Sequence, residues 1–241
     1  MFTISTDAEK RAYGAPLPMK LVYVEKANGK SKVRAVVCGN LEKSDPTQTL
    51  WTAQAETSSL IAALRLSQLR GWEVGAVDVS GAFMYAPLPE HHLVVVRPPR
   101  AFVEAGLASP TECWTLHRAV YGLRVSPKAW GLERDAKLRG LRWTAGGEHY
   151  RLVQCTSDSQ VWMIKKEGDD KLLGLMVVYV DDFLIAAERG EPRGELKRAL
   201  NNIWDMCEEK PLTEQSSLRF LGLELGRLKN GINIHQAHLL T

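Results

Sequence analysis

Two runs that alternate apolar and polar positions, KLVYVEK and KVRAVVC, open the periodic part of the chain, joined by Ala27-Asn28-Gly29-Lys30. A period of two marks strands, and Asn-Gly is a strong tight-turn signal, so the pattern predicts a hairpin. Over residues 56–69 the spacing changes: Leu60, Ile61, Ala63, Leu64 and Leu66 recur at helical intervals and Gly71 closes the segment. The helix feeds a strand over 72–79, which runs into Gly81-Ala82-Phe83, and HLVVVRPP reads as another short strand punctuated by prolines. After a loop with Gly122 and Pro127, residues 128–141 predict a helix with a basic outer face. VWMIKK and LLGLMVVYV are strands about the turn Glu167-Gly168-Asp169-Asp170, and 195–206 is a helix. RFLGLELGRLKNGINIHQ reads as a hairpin about Lys229-Asn230-Gly231. The order is mixed α and β, with antiparallel hairpins, interposed helices and no repeat or flexible linker.

Composition narrows the class only slightly. The 241 residues suit one large domain or two modest ones, and 45% hydrophobic with 24% charged residues excludes a disordered or fibrous chain. A net charge of +3 fits a metabolic enzyme as well as a nucleic-acid binder. Lys26, Lys30, Lys32 and Arg34 form one basic cluster, and Arg118, Arg124, Lys128, Arg134, Lys137, Arg139 and Arg142 another. A solvated face explains each as readily as a ligand does. The four cysteines, Cys38, Cys113, Cys155 and Cys207, have no CxxC spacing, which argues against zinc or a disulfide framework and fits a reducing compartment. The amino terminus lacks the pattern of a signal peptide, and the most apolar run, residues 172–187, is too short to span a bilayer.

That run is interrupted by Asp181 and Asp182 in VVYVDDFLIAA. Burying isolated carboxylates costs several kcal/mol, so the pair needs a reason. Either a tight hairpin turns there and leaves both acids in solvent, or a divalent metal binds at the turn. Asp78 ends a second apolar strand, EVGAVDV. Two such strands can set their terminal acids side by side, the arrangement that two-metal phosphoryl transfer requires.

The motifs are similar to those of one family. Tyr179-Val180-Asp181-Asp182 resembles the YxDD box of reverse transcriptases, and Asp78-Val79-Ser80-Gly81-Ala82-Phe83 the DVKTAF segment of copia-type enzymes. Between them, LHRAVYGLRVSPKAW resembles LxKALYGLKQSPRxW; KVRAVVCG upstream, RPPRAF, and FLGLEL and HQAHLL downstream match in order. The set covers roughly residues 20–240, and the chain is identified as a copia-type reverse transcriptase domain.

The resemblance implies an α+β right-hand polymerase fold, palm and fingers of an antiparallel sheet with packed helices plus a partial thumb, as a fragment of a longer polyprotein. The implied plan is a lead over 1–18, fingers over 19–75, palm over 76–92, a fingers/palm loop and helix over 93–135, palm over 136–215, and a primer-grip hairpin with the start of the thumb over 216–241. The implied activity is RNA-directed DNA synthesis from dNTPs on a primer 3′-OH paired to an RNA or DNA template. Asp78, Asp181 and Asp182 would be catalytic and, with the Val79 carbonyl, hold two Mg²⁺ ions, with Mn²⁺ as the substitute. Arg34, Ala82, Phe83, Tyr121 and Gly122 would bind the nucleotide, Phe83 as a steric gate against the 2′-hydroxyl. Arg124, Lys128, Tyr179, Leu221 and Gly222 would bind template and primer, and Lys210 would be a general acid. Further implied partners are the RNase H and integrase parts of the Pol polyprotein, with no membrane, in cytoplasmic virus-like particles or the nucleus.

Three positions depart from the family pattern: Cys38 where a basic residue is usual, Gly81 for Thr, and Val125 for Gln or Ala. The competing expectation is an inactive nucleic-acid-binding remnant lacking thumb and RNase H; an RNA-dependent RNA polymerase shares the acids but conflicts with Phe83.

Overall fold

The computed structural model describes residues 1–25, 29, 31–42, 50–89 and 91–236, and its contacts divide the chain into two compact units. The first comprises Met1–Thr52 and Gly81–Arg134, the second Ala53–Ser80 and Asp135–Thr241.

The first unit is built on a five-stranded sheet in the order Phe2–Ile4, Trp114–Leu116, Val95–Arg97, Leu17–Glu25, Ser31–Val37. The expected first hairpin is present, running from Met19 opposite Val37 to Glu25 opposite Ser31. Of its turn residues, Gly29 has φ +74°, and Lys26, Ala27, Asn28 and Lys30 lie outside the described residues. Only its base is buried, at Leu17, Met19 and Val37. HLVVVRPP contributes just Val95–Arg97, since Val94, Val95 and Val96 are fully buried and the flanking prolines stop the ladder. Helix Asp7–Tyr13 carries a capping box between Thr6 and Glu9, a signal the hydrophobic pattern alone does not carry.

In the second unit a seven-stranded antiparallel sheet runs in the order Lys210–Pro211, Glu73–Asp78, Asp182–Ala187, Leu172–Tyr179, Val161–Lys166, Glu148–Gln154, Arg142–Ala145. Helix Thr57–Arg70 packs across its central strands. Leu60, Ala63 and Leu64 bury against Trp72, Val74, Val177, Leu184 and Ala186, each leucine contributing about 2 kcal/mol. Gly71 ends the helix in the left-handed conformation that glycine adopts without strain, and its N–H bonds back to Gln68 and Ser67.

Two elements differ from the periodicity. The helix expected over 195–206 spans Glu191–Ile203, with Pro192 in its first turn, where its fixed φ suits a helix start. It stops early because Trp204 turns extended and buries its ring edge-on to Phe183, 5.8 Å between centroids. The terminal hairpin is a three-stranded sheet, Leu218–Phe220, Leu223–Leu228 and Gly231–His235, with an additional turn at Leu221-Gly222. HQAHLL is described only at His235 and Gln236; 237–241 lie outside the described residues. Helix Ser126–Gly140 starts at Ser126-Pro127, and its basic face is incomplete, because Arg134 is 2% exposed. Among the described residues no helix is long and apolar enough to cross a membrane.

Candidate active site

The acids are assembled within the second unit by strand register. Glu73–Asp78 pairs with Asp182–Ala187 so that Asp182 stands opposite Asp78, although 103 positions separate Asp181 from Asp78. Tyr179 stands opposite Asp182, leaving Val180-Asp181 as a two-residue hairpin connection. The Val79 N–H donates to the Asp181 carbonyl at 3.0 Å, tying the turn to the end of the neighbouring strand. So the hairpin reading of the acid pair is realised, yet neither acid is left fully in solvent: Asp78, Asp181 and Asp182 are all half-buried.

Val180 has φ +54° while Asp181 does not share the positive value. Positive φ at the first central residue alone is the type II′ pattern, where glycine is usual. A β-branched side chain there stores about 1–3 kcal/mol, and such strain persists where surrounding structure over-determines it, commonly at functional sites.

Electrostatics single out Asp182, whose carboxyl is pushed up to about 6. Burial is the main cause, the negative charges of Asp181 and Asp78 add to it, and Lys210 opposes it. Lys210 lies on the edge strand opposite Ala76. Three coupled carboxylates offer hard oxygen donors to a hard divalent cation, which would relieve their repulsion, so the chemistry of the donor set fits one. Among the described residues the side chains are not drawn together into a ready cluster of three or more ligands.

One segment at this site carries no signal in the sequence. Residues 205–207 run beside the end of strand Glu73–Asp78: Ser80 N–H donates to the Asp205 carbonyl and Cys207 N–H to the Asp78 carbonyl, both at 2.8 Å. The Cys207 thiol lies 3.6 Å from Asp78 Oδ2 and 3.4 Å from Ser80 Oγ. Only long-range pairing brings Cys207 there; no local pattern in its sequence marks it.

Within the first unit a second group assembles. Arg34, on strand Ser31–Val37, lies with its guanidinium carbon 5.2 Å from the Tyr121 ring centroid, and its Nε is buried without a hydrogen-bond partner. Phe83 packs edge-on against the same ring, centroids 5.0 Å apart, within the short 3₁₀ turn Ala82–Tyr85, where Ala82 is 2% exposed. Tyr121 is held by its carbonyl, which accepts from Val37 N–H at 2.8 Å. Gly122 follows at φ +91°, and a Cβ there would stand 2.0 Å from the Val37 carbonyl oxygen. Gly39 is equally constrained, its Cβ position 2.1 Å from the Gly122 oxygen, so two backbones meet at a distance only glycines allow. Arg124 Nε donates to the Gly39 carbonyl at 3.0 Å, and Lys128 is half-buried in the first turns of helix Ser126–Gly140.

The structure therefore brings Asp78, Val79, Tyr179, Asp181 and Asp182 together in one unit, and Arg34, Ala82, Phe83, Tyr121, Gly122 and Arg124 within the other. Leu221 and Gly222, both at positive φ (53° and 73°), form the turn between strands Leu218–Phe220 and Leu223–Leu228 of the second unit.

Comparison with known proteins places these observations. The family profile described as "Reverse transcriptase (RNA-dependent DNA polymerase)" matches residues 8–241. The chain is 28% identical over 181 residues to the retrovirus-related Pol polyprotein from transposon RE1 of Arabidopsis thaliana, and 29% over 182 residues to that from transposon RE2. Each match covers 75% of this chain and 11% of the relative, so the chain spans about a tenth of the length of these relatives. A putative transposon Ty5-1 protein of Saccharomyces cerevisiae is 28% identical over 156 residues, 64% of this chain and 44% of that protein. In fold, the chain is similar to a foamy viral protease-reverse transcriptase solved with double-stranded DNA, TM-score 0.54 at 14% identity, covering 98% of this chain and 32% of that one. It is also similar to the telomerase of Candida albicans, TM-score 0.50 at 9% identity, covering 97% and 47%.

Proposed function

This chain belongs to the reverse transcriptase (RNA-dependent DNA polymerase) family, as a copia-type domain akin to transposon Pol polyproteins, and from that premise we propose that it extends a primer 3′-hydroxyl with dNTPs along an RNA or DNA template. The observation that carries this reading is the register of Asp182 on Asp78 with Asp181 in the adjoining turn, a site where burial and the two neighbouring carboxylates push the Asp182 carboxyl up to about 6.

Asp78, Asp181 and Asp182, with the Val79 carbonyl, would hold two Mg²⁺ ions, Mn²⁺ being the substitute. Bound there, the cations supply Lewis acidity toward the primer hydroxyl and the leaving pyrophosphate. The chain's own residues do the rest. Hydrogen bonding between Val79 and Asp181 holds the two acid-bearing segments in register. Arg34, already resting on Tyr121, neutralises the incoming triphosphate, and the Ala82 and Phe83 N–H groups face it. Phe83, braced by Tyr121, excludes a 2′-hydroxyl, and Tyr121 and Gly122 pack against the nucleotide. Arg124 and Lys128 neutralise template phosphates, and Tyr179, Leu221 and Gly222 hold the primer end. Lys210, electrostatically coupled to Asp182, is the candidate proton donor to pyrophosphate. The polymer substrate, the RNase H and integrase parts of a longer polyprotein, and a setting in cytoplasmic particles belong to the same reading.

The test is primer extension on poly(rA)–oligo(dT) with dTTP and Mg²⁺, parent against an Asp181→Ala, Asp182→Ala variant. Extension by the parent alone is expected. A silent parent that is folded and binds primer–template would make the chain an inactive remnant instead.

A further inference from the structure

A cleft in the second unit stands apart from the acids. It has a volume of about 530 Å³ and is formed by the last two turns of helix Thr57–Arg70 and the tip joining strands Leu223–Leu228 and Gly231–His235. Its lining carries Arg65, Arg227 and Lys229, the amides of Gln68 and Asn230, and no acid. Among the described residues none of these three cations makes an ion pair, whereas Arg189, Arg193, Arg198 and Lys197 of the same unit are each paired with a glutamate. Leu69 and Leu228, 84% and 59% exposed, add uncovered apolar surface to the same lining.

Three unneutralised cations converging on one concavity raise the local potential and invite a polyanion. The site is remote from the chemistry along two elements. Asp78 lies at the far end of a strand that begins just after the helix, and the Leu221-Gly222 turn lies at the far end of Leu223–Leu228; each strand spans roughly 17 Å.

We propose that this cleft binds the phosphate groups of single-stranded nucleic acid outside the catalytic centre. The arginine forks and Lys229 engage successive phosphates, the amides of Gln68 and Asn230 meet base edges or 2′-hydroxyls, and the two leucines cover sugar and base surface. The amides of Gln68 and Asn230, which match base edges, and the two leucines, which match base and sugar surface, favour this occupant over an acidic peptide, which would present isolated charges on a neutral backbone. The identity of the polymer rests on the polymerase reading; the existence of the site does not.

The experiment is fluorescence anisotropy of a labelled oligo(rA) over a salt series, using the full chain, an Arg65→Ala, Arg227→Ala, Lys229→Ala variant, and Lys229→Glu alone. Lys229 is exposed at a strand-connecting tip, so the single change leaves the core untouched. Loss of three phosphate contacts should weaken binding roughly 10- to 100-fold at moderate salt and lower the log–log salt slope by about 2. Lys229→Glu should weaken binding several-fold. Equal affinity and slope in both variants would overturn the proposal, as would an oligoglutamate that binds as tightly as the RNA and is lost in the same variants. Competition by tripolyphosphate at equal phosphate concentration assigns the cleft to phosphate as such; RNA that survives it assigns the cleft to the polynucleotide backbone. Primer extension by the parent on a short template is run beside the titration, and a silent parent there counts against the polymerase reading while leaving the binding result intact.

Discussion

Asp181 and Asp182 are legible as residues because a carboxylate inside an apolar strand has no folding rationale of its own. Phe83 is legible only through resemblance, and its edge-on contact with Tyr121 now gives it a fixed position. Replacing Phe83 with Val should raise ribonucleotide incorporation by at least tenfold relative to dNTP use, roughly 1.4 kcal/mol of selectivity, measured as the ratio of kcat/KM values. Unchanged sugar selectivity would remove the gate assignment. Gly122→Ala tests the backbone crossing: at φ +91° with a carbonyl 2.0 Å from the new Cβ, the variant should lose more than about 2 kcal/mol and melt several degrees lower. An unaltered melting temperature would mean the two backbones can part without cost.

At the scale of elements, hydrophobic periodicity identified the helix before strand Glu73–Asp78 and the strand leading into the acids because both bury one continuous apolar set, while the hairpin at the acids was one of two open readings. It misjudged helix Glu191–Ile203 at both ends, since Pro192 sits in its first turn and the burial of Trp204 stops it. That helix is anchored by Arg193 and Lys197 on Glu209. Burial alone would raise the Glu209 carboxyl, but the hydrogen bonds from Arg193 and Lys197 together outweigh it and hold the group below its ordinary value of 4.5. A depressed carboxyl stabilises the fold above its unfolded pKa and loses that contribution as the pH falls through its folded value. Glu209→Gln should therefore cost about 1–3 kcal/mol at pH 7, and the gap should close in acid, read from urea midpoints at both pH values. A gap independent of pH would show that packing, not charge, links the helix to the segment that bears Glu209. In the same unit, Leu64→Ala at 2% exposure should cost about 2–5 kcal/mol by the same urea assay.

At the scale of the whole molecule, the fold and the family agree over nearly the full chain, while the chain covers about a tenth of the Arabidopsis Pol polyproteins it resembles. The second unit is held by a hydrophobic core of its own, and its acids sit at strand ends rather than in a metal-built scaffold. Chelation with EDTA should accordingly abolish primer extension while leaving the melting temperature within about a degree, because cations at such a site neutralise catalytic charge without building the core. A large drop in melting temperature on chelation would assign the metal a structural role instead.

By itself, the sequence determined the mixed α and β class, the main helices and hairpins, and the positions of Asp78, Asp181 and Asp182, since each follows from local periodicity, turn chemistry or an anomalous charge. Tertiary structure alone decided that Asp182 stands opposite Asp78, that Val180 is strained, that Cys207 lies against Asp78, and that Arg65 and Lys229 share one cleft. Those relations depend on pairing and packing between segments tens to more than a hundred residues apart, and the free energy of such contacts is not written in any local stretch of the chain.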